Sequence, residues 1–181
     1  MLLDKRVCAS ERYGIMICRL LICVLIISTV LLDSVVSVVA QSPRDLSTLF
    51  FDGRAYLTEE DGRPYSGPVV ITNTHSSSKE EGTLKDGVRD GVFEWFFENN
   101  QVGFRDTYRN GERDGPFEYY YKNGFLLEKG SMRNGRRHGP SEEYAFRLYR
   151  LTHKGNYDLG YKCGSWMENG KSRSYDPCPT N

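Results

Sequence analysis

Three groupings of side chains in this chain are of the types that do chemistry. Glu94 and Glu118 stand 24 residues apart in matching contexts, EWFF and EYYY, and two carboxylates brought together can share acid and base roles. His75, His138 and His153 are its three histidines, side chains that titrate near neutral pH and bind metals. Cys163 and Cys178 offer a disulfide, a redox pair or two metal ligands. Each grouping has a plainer reading. The histidines fall near expected turns, without the spacing of a metal cluster, and read as solvated. His138 and Glu142 are four apart across a turn and need not share a face. Glu94 and Glu118 read as solvent-facing residues on the polar side of a sheet. The cysteine spacing fits neither a CxxC motif nor a zinc knuckle. An even pair in an exported chain favours a disulfide, closing a loop of about 15 residues and contributing roughly 3 kcal/mol. A nucleophile elbow, a phosphate loop, an H-E-x-x-H motif and a dinucleotide fingerprint are all missing from the sequence. The expectation is a protein that is not an enzyme, with no catalytic residue, cofactor or metal.

The elements that must position these residues recur with a period. Asn/Asp-Gly doublets end at Gly87, Gly111 and Gly135, 24 residues apart. A second glycine follows at Gly91, Gly115 and Gly139, and a large apolar residue precedes at Leu84, Tyr108 and Met132. Such a period means one supersecondary unit in several copies. The middle copy shows its geometry. Asn110-Gly111 accepts the two positive φ angles of a two-residue hairpin turn. Gly115 marks a bulge or close approach, and Asn123-Gly124 turns the chain into a return strand over residues 125–132. Alternate residues of a strand share a face, so Phe117, Tyr119 and Tyr121 line one side, and Glu118 and Tyr120 the other. In the preceding copy Phe93, Trp95 and Phe97 match the first set, and Glu94 and Phe96 the second. Stacking lays Phe93 beside Phe117 and Trp95 beside Tyr119, as a narrow core. On the opposite face Phe96, Tyr120 and Tyr144 form a second row at 24-residue intervals. That row, with neighbouring Glu94, Glu118 and Glu142, is the expected partner-binding site, since accessible aromatic patches mark interaction surfaces.

The outer copies depart from the pattern. The first has Asp61-Gly62 and a strand run at Val69, Val70 and Ile71, then a turn poor in glycine over residues 73–78. In the third, Ser141 and Glu143 replace the row aromatics, residues 145–151 lack Asn-Gly, and the register slips to 25. The pattern resumes at Gly155, Tyr157, Gly160, Gly164 and Trp166, and Asn169-Gly170 closes the last hairpin.

The run Y-x-N-G-x-x-x-G-P-F-x-Y-Y-Y-x-N-G at residues 108–124, with EEGTLKDGVRDGVFEWFFENN, EKGSMRNGRRHGP and DGRPYSGPVV, resembles the MORN-repeat variant of YwqK-type antitoxin-like proteins. The resemblance covers residues 61–170. It implies an all-β fold, an elongated twisted antiparallel sheet of stacked hairpins, used as a binding or scaffolding surface. The antitoxin-like label implies neutralising a partner protein.

The chain has 181 residues, with 24 Lys and Arg against 24 Asp and Glu. A neutral chain lacks the broad basic field of a nucleic-acid binder. Its one dense basic cluster, Arg133, Arg136, Arg137 and His138, reads as a solvated turn. Residues 15–32 are almost continuously apolar and suit an N-terminal helix, and Val38 and Ala40 supply small residues ahead of Gln41. That is the form of a secretory signal peptide. Retained, the same run approaches the ~20 residues that span a bilayer. Residues 1–40 are therefore a signal peptide or anchor, 41–60 a lead-in linker, 61–170 the hairpin repeats and 171–181 a tail. Either leader places the repeats outside the cytoplasm, periplasmic, secreted or anchored. Membrane contact comes only through the N-terminal segment. The function read from this is an exported protein–protein interaction module. The alternatives are a structural envelope protein assembling through its repeat ends, and an immunity-like neutraliser. The n-region is long for a signal, and Met16 gives a compact one. Translation from Met16 is expected, so intact-mass analysis of the cellular precursor should show a species without residues 1–15; a precursor containing them overturns this start.

Overall fold

The computed structural model describes residues 41–179; the leader and its expected apolar helix lie outside them. The described chain is all-β apart from one short 3-10 turn, Leu46–Thr48. Its strands are β1 (Arg44–Asp45), β2 (Leu49–Phe51), β3 (Tyr56–Thr58), β4 (Gly67–Asn73), β5 (Ser78–Lys85), β6 (Val88–Arg89), β7 (Gly91–Phe96) and β8 (Val102–Arg109). There follow β9 (Glu112–Tyr120), β10 (Leu126–Arg133), β11 (Arg136–Arg137), β12 (Gly139–Tyr144), β13 (Leu151–Asp158), β14 (Tyr161–Glu168) and β15 (Lys171–Ser174). They form one 13-stranded sheet in the order β1-β4-β5-β7-β8-β9-β10-β12-β13-β14-β15, with β6 on β5 and β11 on β10. Every pairing is antiparallel except β1 on β4. β2 and β3 make a separate two-stranded ribbon.

Two-residue turns explain the hairpins. Asp86, Asn110, Asn134, Leu159 and Asn169 have φ of 51°, 50°, 49°, 43° and 50°, and the glycine after each is also at positive φ. Two successive positive angles suit the right-handed twist of the flanking strands, which is why Asn-Gly recurs here. The first four of these turns, which share one side of the sheet, are also each fastened to the chain of the turn before. Gly87, Gly111, Gly135 and Gly160 donate their N–H to the carbonyls of Tyr65, Arg89, Arg113 and Arg137. Side chains reinforce this, as the Asp90 and Asp114 carboxylates accept the Asn110 and Asn134 N–H groups. The register of β8 on β9 shifts between Asp106 and Tyr108, opposite Gly115 at φ 132°, which is the expected bulge.

One face of the sheet carries the core. A lateral row runs Val69, Gly82, Phe93, Asp106, Phe117, Gly130, Ser141, Gly155, Trp166. Its aromatic rings lie flat over neighbouring glycines: a Cβ at Gly82, Gly130 or Gly155 would collide with Phe93, Phe117 or Trp166. Phe93, Phe117 and Trp166 are 1%, 2% and 3% exposed as a result. The rows expected from the sequence need one correction. Phe93 is not beside Phe117, nor Trp95 beside Tyr119, because the return strand β8 runs between them. Asp106 separates the first pair, and Phe104 the second, stacked 5.8 Å from Trp95 and edge-on 6.3 Å from Tyr119.

Among the described residues no second layer lies over this face beyond its first end, and cations cover the rest. Arg89 lies 4.5 Å from the Phe93 ring and 5.2 Å from Tyr108. Arg137 lies 5.4 Å from Phe117 and 5.5 Å from Tyr157, and Lys162 4.4 Å from Trp166 and 5.7 Å from Tyr175. Each is held by a carboxylate, Glu80, Glu128 and Glu168 in turn. A basic side chain can spread its stem on apolar surface, add a cation–π contact and keep its head polar. Arg137 is thus half-buried over Phe117, not part of a solvated turn. Residues 41–60 differ from the linker expected of them too. Leu49 is buried, and with Leu46 and Tyr56 it packs against Val69, Leu84 and Phe93, closing the first end of the core.

Leu159 occupies a left-handed position that the other turns give to Asn or Asp. A branched apolar residue there costs roughly 1–2 kcal/mol of backbone strain. Leu159→Asn should raise unfolding free energy by about 1 kcal/mol in urea titration; an unchanged midpoint counts against the strain.

Candidate functional site

The opposite face carries a second lateral row, one side chain per strand from β4 to β15: Val70, Glu81, Glu94, Arg105, Glu118, Lys129, Glu142, Lys154, Met167, Ser172. Its middle is a ladder of alternating charge. Arg105 is 2.5 Å from Glu94 and 3.3 Å from Glu118. Glu142 sits between Lys129 at 2.9 Å and Lys154 at 3.0 Å. Lys79 reaches Glu81 at 2.9 Å. Opposite charges facing across strands contribute roughly 0.2–1 kcal/mol each, and the alternation specifies register.

The aromatic row lies beside this ladder. Tyr120 donates its hydroxyl to Glu118 at 2.6 Å, and Tyr144 its own to Glu142 at 2.7 Å. A hydroxyl reaching two residues back along the same strand lays each ring along the sheet surface. Lys79 stands 4.9 Å from the Phe96 ring, and Arg105 5.8 Å from that of Tyr120. All six residues singled out from sequence, Phe96, Tyr120, Tyr144, Glu94, Glu118 and Glu142, therefore come together on one face. They are all partly buried, in two adjacent lines. The aromatics fall on every second strand, a spacing of about 9–10 Å from the separation of paired strands. A shallow depression of about 470 Å³ continues the face between Pro116, Ser131 and Pro140 on one side and Glu118, Lys129 and Glu142 on the other.

The electrostatics favour fixed charge over proton transfer. The Glu142 carboxyl is held down to about 2 by hydrogen bonds from Lys129, Tyr144 and Lys154. Glu118 is lowered by the Tyr120 hydroxyl and then by Arg105. Tyr120 is raised by burial and by its bond to Glu118, and Tyr144 by its bond to Glu142. Glu94 and Glu118 do not face one another as a carboxylate pair, since Arg105 stands between them.

The histidines are dispersed. His75 is exposed in a turn. His138 places Nδ1 3.3 Å from Asp158, and His153 places Nδ1 3.3 Å from Glu143. His153 lies within β13 rather than near a turn. Among the described residues no three His, Cys, Asp or Glu side chains converge as metal ligands. Cys163 and Cys178 are joined, their Cα atoms 4.9 Å apart across 15 residues of sequence. The segment read as a tail is tied down by this bond and by β15, which pairs with β14.

Asp106 is the residue that sequence reasoning missed. It occupies the place in the core row that Gly82, Gly130 and Gly155 hold elsewhere, and it is 1% exposed. Arg113 Nη2 lies 3.2 Å from its Oδ2 without hydrogen-bond alignment, and Tyr119 donates to Oδ1 at 3.3 Å. Burial raises its carboxyl above the usual range, against the opposing pull of Arg113, Tyr119 and Arg89. Burial and Asp106 together push the Tyr119 hydroxyl up to about 12. The signal was present in the sequence as the one acid in a 24-residue series of glycines.

An acid raised in the folded state contributes most below its unfolded value, and that contribution is lost as pH rises through the folded value. The wild type should therefore lose stability relative to Asp106→Asn as pH rises from the ordinary aspartate value of about 4 through the raised folded value. Denaturant titrations of both proteins across that range measure it; parallel pH profiles would show that the buried carboxyl carries no penalty.

No protein-family model matches the chain, and no curated protein matches it significantly.

Proposed function

We propose that this chain is a non-catalytic, exported binding module built of MORN-like hairpin repeats, and that a protein partner lies on the ladder face. The observation that carries this reading is the alignment of Phe96, Tyr120 and Tyr144 beside Glu94, Glu118 and Glu142. Partly accessible aromatics set among charged groups are the composition that interfaces favour, with aromatic and arginine anchors contributing most. The adjoining depression is open and shallow, a form that suits a partner's surface better than a small molecule's enclosure. The joined cysteines support an oxidising compartment, and the neutral chain supports a partner other than nucleic acid. Membrane attachment is assigned only to the N-terminal segment, if it is retained. The antitoxin-like resemblance is compatible with a partner that is neutralised by being bound.

Assembly through the sheet's ends is the weaker alternative. β1 covers Val69 and Val70 of the first edge, and β15 at the other edge is four residues long and carries Lys171 and Arg173. Short, charged and partly covered edges resist strand-to-strand association.

Two measurements separate these readings. With a partner co-purified from the native compartment, Phe96→Ala/Tyr120→Ala should weaken binding by about tenfold or more, in the range of aromatic hot spots. Unaltered affinity in a folded double variant sinks the ladder-face reading. A single monomeric species across concentration in sedimentation removes the assembly alternative.

A further inference from the structure

The hairpin tip between β12 and β13, residues 145–150, is the most apolar of the β4–β13 tips. Where the neighbouring tip has Asn123-Gly124, it reads Ala145, Phe146, Arg147, Leu148, Tyr149, Arg150. Phe146 is 51% exposed, Leu148 72% and Tyr149 46%, and Phe125 on the neighbouring tip is 45% exposed. Their rings pack in pairs across the two tips. Phe125 stacks on Tyr149 with ring centroids 3.6 Å apart, and Phe146 meets Tyr121 edge-on at 4.9 Å. The Asn123 amide donates to the Tyr149 hydroxyl at 3.3 Å. Tyr149 is held at φ 46°, a left-handed conformation that a bulky residue rarely adopts.

What sets this tip apart is that unpaired cations stand beside its exposed rings. On the ladder face Arg105, Lys129 and Lys154 are each spent on a carboxylate, and on the core face Arg89, Arg137 and Lys162 are. Lys122, on the adjacent tip, is paired with Glu98. Arg147 and Arg150 are exposed and have no carboxylate within ion-pair distance among the described residues. Two uncompensated guanidinium groups therefore flank a cluster of solvent-facing rings and a leucine. Arginine beside aromatic residues is the pairing that dominates protein interfaces. Two charges on one short loop fall well below the basic field that nucleic acid requires.

From this we propose that the tip at residues 145–150 is a docking point for a protein segment presenting acidic side chains beside apolar ones. It rests on reading the chain as a binding module, and it names the chemistry of the partner.

Fluorescence anisotropy of the full-length protein with three labelled peptides tests it. One alternates Glu with Leu and Trp, the second replaces Glu by Lys, and the third replaces Leu and Trp by Ser. The acidic, apolar peptide should bind at least tenfold more tightly than either of the others, and more weakly as salt is raised. Arg147→Ala/Arg150→Ala and Phe146→Ser/Leu148→Ser should each lower its affinity about tenfold. These side chains are exposed, and an unchanged thermal midpoint verifies the fold. Phe96→Ala/Tyr120→Ala should leave the peptide's affinity unaltered, which separates this site from the ladder face. The proposal is overturned by absence of binding, by equal binding of the Lys peptide, or by tip variants that bind as well as wild type. It is overturned too if only the Phe96/Tyr120 variant loses the peptide, or if phosphatidylserine vesicles bind the tip where the peptide does not.

Discussion

A sheet with no second layer must bury its apolar side chains against itself, and the rest of this structure depends on that constraint. Most domains cover a sheet with helices or another sheet. Here Phe93, Phe117 and Trp166 lie down over Gly82, Gly130 and Gly155, so one strand's side chain fills the space left by its neighbour. Arg89, Arg137 and Lys162 then close over the rings, each fixed by a carboxylate. The face is thereby shielded from water by its own residues, at the cost of strict spacing. A glycine must stand beside each ring, and a long cation must arrive from the adjoining turn.

The same economy shapes the other face. Its charges neutralise one another in sequence across the strands, which leaves a flat surface of low net charge with Phe96, Tyr120 and Tyr144 set along it. A surface satisfied in this way specifies strand register and resists indiscriminate sticking. At the tip over residues 145–150, where the repeat pattern fails, exposed rings and two guanidinium groups unpaired among the described residues stand together instead. Asp106 is the corresponding irregularity inside, a carboxylate in a row otherwise made of rings and small residues.

Much of this was legible in the sequence, and the parts that were not have identifiable reasons. The turns were legible because two consecutive positive φ angles leave few choices but Asn-Gly and Asp-Gly. The division of Phe93 and Phe117 from Phe96 and Tyr120 followed from the two-residue period of a strand. A 24-residue period compares like strands only and is silent on the return strand β8 between them, which carries Asp106 and Phe104. The basic series at Arg89, Arg113, Arg137 and Lys162 has nearly the same spacing as the glycines, but charge suggested solvent. Leu49 and Tyr56 lie outside the periodic region, and nothing in their local pattern announces that they fold back to cap Val69. The Phe146–Arg150 tip could be seen as a departure from the period, but its exposure could not.

The strand order has a further consequence. From β4 to β15 each strand of the main path pairs with the neighbour that precedes it on that path. Every pairing thus closes a short loop, and little chain entropy is lost before contacts form. A chain emerging from its N-terminus can add hairpins one at a time, each new turn docking on a carbonyl already in place. The Cys163–Cys178 bond joins only the final hairpin to the C-terminal segment beyond it, so oxidation closes the structure after it has been laid down and does not direct the path by which it forms.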